Sequence, residues 1–158
     1  MKKKVLISAC LLGKKCRYNG GHSKLTELEE IDVEWISVCP EESAGLGTPR
    51  PSAEMQENAE TILNGKGEII TNKGKNVTAE FIQGAEKSLQ LGLEAEVKIA
   101  VLKSKSPSCG IGKIYDGSFT KKLKTGNGIF AHLCHRNDIA CIPSDNINRI
   151  KKTLAKLK

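Results

Sequence analysis

Apolar residues gather in four short runs, Val5–Ala9, Trp35–Val38, Ile99–Leu102 and Ile139–Ile142. Runs of this length, rich in β-branched residues, suit buried strands and are too short for helices. The segments between them keep a different period. After Thr78, a favourable N-cap, Phe81, Ile82, Ala85 and Leu89 fall on one helical face, and Gly92 reads as the stop. Residues 129–137 predict a second helix. Asp145–Leu157 predict a third, with Ser144 as its cap and Ile147, Ile150, Leu154 and Leu157 recurring at helical spacing. The stretch "LNGKGEIITNKGKN", rich in glycine and asparagine around a short "EIIT", predicts a small hairpin insertion. Strands alternating with helices predict an α/β fold: one domain over residues 1–158, a mainly parallel sheet flanked by helices (Rossmann-like).

Composition narrows the class. Aromatic residues make up only 4% of the 158, so aliphatic side chains must fill the core, and 27% charged residues fit a globular chain. No stretch approaches the ~20 apolar residues of a membrane helix. The N-terminal "MKKKVLISACLLG" lacks the length and small-residue cleavage site of a signal peptide. These features predict a cytoplasmic protein with no membrane partner, whose six cysteines stay reduced, so metal binding or catalysis is favoured over disulfides. The net charge is +7, from 25 Lys and Arg against 18 Asp and Glu, with much of the excess in the terminal "MKKK" and "RIKKTLAKLK". Solvated ends account for it, and no nucleic-acid motif supports an RNA partner.

The cysteines change the picture. Cys10 closes "VLISAC", Cys39 closes "EWISVC", and Cys109 lies in "SPSCG" just past the third apolar run. Ligands of open α/β sheets bind beyond the carboxyl ends of the strands. Three loops therefore bring three thiols to one sheet edge. A cysteine in an apolar strand is ordinarily core filler, but three at strand ends, each followed by Gly or Pro, point to a metal or cluster. No C-x-x-C pair occurs. Cys16 offers a fourth ligand for a structural zinc, at a spacing unlike standard zinc motifs. Iron–sulfur clusters accept thiolates from scattered positions, and three thiolates leave one iron of a cubane open as a Lewis acid. A thiol redox or sulfur-carrier protein using Cys10 and Cys16 as attacking and resolving thiols is a further reading. A phosphate-cradling loop is not, since "GKK" and "GIG" lack its spacing. Cys134, Cys141, His22, His132 and His135 read as packing or loop residues. Beside Cys39, the carboxylate of Glu41, fixed behind Pro40, is placed to act as general base or acid. Ser106 and Ser108 flank Pro107 with hydroxyls able to bond a substrate or relay a proton. Arg50, between two prolines in "TPRP", is placed to grip an anion or a polar ring.

The blocks "SACLLGKKCRYNGG", "CPEESAGLGTPRPSAE", "KNVTAEFIQGAEKSL", "LKSKSPSCGIGKIYDGSF" and "GNGIFAHLCHRNDIACI" cover nearly the whole chain. In content and order they resemble a bacterial family of TudS-type thiouracil desulfidases, also catalogued as domain of unknown function 523. The resemblance implies a [4Fe-4S] cluster held by Cys10, Cys39 and Cys109, with the fourth iron open to the sulfur of a thiolated base. It further implies a catalytic Glu41 and a serine near the cluster, Ser106 before Ser108. The implied reaction is a non-redox desulfuration of a thiolated pyrimidine such as thiouracil, giving uracil and sulfide. Free base, nucleoside and thiolated RNA all remain open as substrates. Glu42-Ser43-Ala44 departs from the apolar or small residues that relatives often carry there, which bears on the shape of the substrate pocket.

Overall fold

The computed structural model describes residues 2–157. Its strands are β1 (Lys4–Ser8), β2 (Glu34–Val38), β3 (Ala53–Met55), β4 (Ile69–Thr71), β5 (Ile99–Leu102), β6 (Lys113–Tyr115), β7 (Leu123–Thr125) and β8 (Ala140–Pro143). The helices are α1 (Pro40–Ser43), α2 (Ala59–Leu63), α3 (Thr78–Glu94), α4 (Ile129–Arg136) and α5 (Ile147–Ala155). The four apolar runs form the central sheet, parallel throughout and ordered β2-β1-β5-β8. Among the described residues no helix is long and apolar enough to cross a membrane.

Period-two alternation sends each strand's side chains to two cores. Leu6, Ala100 and Leu102 pack with Phe81, Ala85, Ile129 and Phe130 of α3 and α4. Val5, Ile7, Ile99 and Val101 pack with Ile150 and Leu154 of α5. A sheet covered on both faces needs continuous apolar strands, which is why these runs stand out in the sequence. The chain leaves β1 toward β2 on one side and later returns to β5 on the other. The switch of direction lies between β1 and β5, where an open sheet forms its ligand crevice at the carboxyl ends.

Local expectations are corrected at several ends. The amide N–H of Thr78 donates to Asn76 Oδ1, while the Thr78 hydroxyl accepts from Ile69 N–H and ties α3 to β4. Gly92 does not stop α3, which runs on to Glu94; it packs close to Leu6 and Val97, where a Cβ would come within 3.3 and 3.4 Å. Asn146, not Ser144, caps α5 by accepting from Arg149 N–H; the Ser144 hydroxyl instead accepts from Ser104 N–H. "EIIT" contains a strand, β4, which pairs antiparallel with β3 across the short α2. It also turns back as the expected hairpin, Ile70 bridging Asn76 while Thr71 and Val77 N–H donate to the Lys75 and Ile69 carbonyls at 2.9 Å each. A second two-stranded ribbon, β6–β7, has strands of three residues, too short to carry a period in the sequence.

Candidate active site

Cys10 sits in a 3-10 turn (Ala9–Leu12) at the end of β1. That turn closes on Gly13, whose φ of 100° suits a residue without a side chain. The Cys10 carbonyl accepts from Gly13 and Ser23 N–H groups at 3.2 and 2.9 Å. Cys39 ends β2 and leads into α1, with Pro40 in the first turn, where its missing N–H costs nothing. Helix α3 crosses α1 so tightly that a Cβ on Gly84 would lie 1.8 Å from the Pro40 carbonyl oxygen. The "SPSCG" loop is docked on the start of α4: the Pro107 and Ser108 carbonyls accept from Ile129 and Ala131 N–H at 2.8 and 3.0 Å. Those are N–H groups that a helix start leaves without internal partners. Gly128 allows the approach, since its Cβ would lie 2.5 Å from the Ser108 carbonyl.

These three loops surround one cavity of about 520 Å³ at the sheet's carboxyl edge. Cys10, Cys39 and Cys109 all line it, and Cys16 does too. All six cysteines are free thiols. Three of the site thiols, Cys16, Cys39 and Cys109, are held above their usual range. Cys109 is pushed up to about 12, chiefly by burial, with the Ser8 and Ser106 hydroxyls pulling the other way. The neighbouring Cys10 thiol pushes Cys16 up to about 11, while Cys39 opposes it. Cys39 is raised first by Cys16 and then by burial. The four sulfurs thus sense one another as a chain, Cys10–Cys16–Cys39–Cys109.

Glu41 also reaches the cavity. Its Oε1 accepts from Arg50 Nε at 3.2 Å, and its Oε2 accepts from Ser108 Oγ at 3.2 Å. The ion pair is largely buried, with side chains 17% and 7% exposed. Arg50 also lines the cavity. Its Nη1 donates to the Gly47 carbonyl and Thr48 Oγ1, and Nη2 donates to the Cys16 carbonyl. The guanidinium thus ties Glu41 to the Cys16 loop at the cavity wall. Ser108, expected to contact substrate, is 1% exposed and is not among the cavity's lining residues. It serves Glu41. Ser106 lines the cavity, and its Oγ accepts from Cys109 N–H at 2.6 Å. Glu42 does not line the cavity; it meets Lys14 and the Thr48 hydroxyl outside it.

The residues read as bland stay so. Cys134 is fully buried in the core with Cys141 against it. His132 pairs with Glu60 at 2.7 Å, and His22 Nδ1 accepts from Lys24 N–H. The cavity also has a charged and aromatic wall that no sequence expectation above included. Arg17, Lys103, Lys105 and Lys121 line it, as do Tyr18, Tyr115 and Phe119. Lys103 is held below the usual lysine range, first by burial and then by Arg17 nearby. Part of the cationic excess thus belongs to this mouth and not to the chain ends. "SKSPSCG" and "YDGSF" were the available signals, flanking a cysteine already singled out.

The profile of the 2-thiouracil desulfurase family matches residues 5–146. Uncharacterized protein YbbK of Bacillus subtilis (strain 168) is 37% identical over 149 residues, 92% of this chain and 99% of that protein. A solved structure described as "[4Fe-4S]-dependent thiouracil desulfidase TudS (DUF523Vcz)" superposes with a TM-score of 0.84 at 36% identity, covering 99% of this chain and 100% of the other. A profile match across the parallel sheet, with the same fold at this identity over the full length, makes this chain a member of the 2-thiouracil desulfurase family.

Proposed function

We propose that the chain is a cytoplasmic, [4Fe-4S]-dependent desulfidase that removes sulfur from a thiolated pyrimidine, with Cys10, Cys39 and Cys109 as the three protein ligands. One observation carries the reading: three thiols from three strand ends line one cavity at the sheet's switch point. The donor set fits. Three soft thiolate donors from separate loops lining one cavity match the ligand chemistry of an iron–sulfur cluster. When bound, the cluster supplies an iron without a protein ligand, a soft Lewis acid for a thiocarbonyl sulfur.

The chain's own groups supply the rest. Glu41 has both oxygens positioned by Arg50 and Ser108 and keeps lone pairs for the cavity. It takes a proton from the water that attacks the thiocarbonyl carbon. The Ser106 oxygen is engaged by Cys109 N–H, so its O–H donates to charge developing on the substrate's sulfur or ring nitrogen. The exchange of C=S for C=O with release of sulfide balances without electron transfer. The cationic mouth of Arg17, Lys103, Lys105 and Lys121 favours, among base, nucleoside and nucleotide, the form carrying an anion. The test is direct: anaerobically reconstituted protein with thiouracil gives uracil and sulfide with no reductant added. Neither product from protein carrying a full cluster overturns the assignment.

A further inference from the structure

Phe119 has no part in the mechanism above, yet it is set up to serve the cavity. It stands at the tip of the β6–β7 ribbon, lines the cavity and is 36% exposed. Its φ is +59°, a left-handed backbone that a bulky side chain rarely adopts. Five non-glycine residues among those described have positive φ, and three of them, Lys105, Phe119 and Lys121, line this one cavity. Strain of this kind persists only where the surroundings over-determine it, and it gathers at ligand clamps.

The surroundings do over-determine it. Glu54 Oε1 accepts from both Gly117 N–H and Phe119 N–H, at 2.9 and 3.1 Å. Gly117, at φ +96°, lies so near β3 that a Cβ would stand 2.8 Å from the Met55 carbonyl oxygen. Gln56 Nε2 donates to the Gly117 carbonyl at 3.2 Å. The chain spends few aromatics, only six in all, and three of these, Tyr18, Tyr115 and Phe119, line this cavity. An exposed apolar ring on a strained, clamped backbone inside a site is built to be covered by a flat ligand.

We infer that the substrate's ring lies against Phe119, and that Glu54 is the positioning residue that holds the ring there. The inference rests on the pyrimidine reading above. The test uses cluster-reconstituted protein and 2-thiouracil, with turnover measured by kinetics and binding by calorimetry. Phe119→Leu keeps apolar bulk but loses the aromatic face. It raises KM and Kd at least about tenfold, with kcat within about twofold and the cluster's absorption unchanged. Phe119→Tyr keeps both near wild type. Glu54→Ala reproduces the rise in KM, and Glu54→Gln, whose amide oxygen still accepts both N–H groups, restores it. Unchanged KM and Kd in Phe119→Leu, or a loss confined to kcat, overturn the stacking role. Failure of Glu54→Gln to rescue overturns the positioning role. If Glu54→Ala melts at assay temperature, the surface substitution Phe119→Leu decides alone. Should wild type bind 2-thiouracil without releasing sulfide, and Phe119→Leu weaken that binding tenfold, the inference stands and the desulfidase reading falls. If wild type neither binds nor turns over 2-thiouracil, both fall.

Discussion

At Glu41 two neighbours divide the labour of holding one carboxylate, and removing either should read differently. Glu41→Gln deletes the proton acceptor and is expected to cut kcat by about 10²–10⁴-fold with the cluster retained. Arg50→Lys keeps the charge but not the fork that also reaches Gly47, Thr48 and Cys16. A loss of about 10- to 100-fold in kcat with little change in KM is expected, checked by steady-state kinetics; an equal rise in KM would instead assign Arg50 to the substrate. Glu42 makes a different prediction. The Thr48 hydroxyl foremost, with Lys14 behind it, holds this carboxyl below its usual value of 4.5. A depressed carboxylate adds stability above its unfolded value, and that stability is lost as pH falls through the folded one. Urea titrations should find Glu42→Gln less stable by up to about 1 kcal/mol at pH 7, the gap closing below about pH 4. At this scale the sequence exposed the cysteines, because thiols past apolar runs are conspicuous. It could not show that Arg50 faces inward or that Ser108 bonds Glu41, since those depend on how segments 34 and 67 residues apart in the chain meet.

Among the elements, the crossing of α3 over α1 decides where Cys39 and Glu41 stand. Gly84 sits in the middle of a helix, where glycine is costly, and the 1.8 Å approach of the Pro40 carbonyl explains it. Gly84→Ala should destabilise by about 1–3 kcal/mol through overpacking, seen as a lower denaturation midpoint, and lower the iron content per chain after reconstitution. An unchanged midpoint would show that α1 is not seated by α3. The four sheet strands were legible because both their faces are buried, which writes an unbroken apolar run. Helix ends were not: Asn146, two residues on, took the capping role expected of Ser144, and Thr78 is the first residue of α3 with Val77 at its cap. Strand β3 and the ribbon β6–β7 escaped because three-residue strands carry no period to read, whereas β4 was marked by the turn residues around "EIIT".

For the molecule as a whole, the topology places ligands where a parallel sheet opens, and the charge distribution selects what enters. Four cations on one mouth predict that a thiopyrimidine nucleotide has a lower KM than the free base, and that the ratio shrinks as salt rises from 0.1 to 1 M, where the screening length falls from about 10 to about 3 Å. A salt-independent ratio would show that the mouth does not attract the anion. The central claim remains the meeting of three thiolates on one cubane whose fourth iron no residue holds. It is tested by iron and sulfide counts, with the visible absorption spectrum, after anaerobic reconstitution of wild type, Cys109→Ser and Cys16→Ser. The account predicts about four irons and a brown chromophore in wild type and Cys16→Ser, and loss of both in Cys109→Ser. A chromophore that survives Cys109→Ser but vanishes in Cys16→Ser contradicts it.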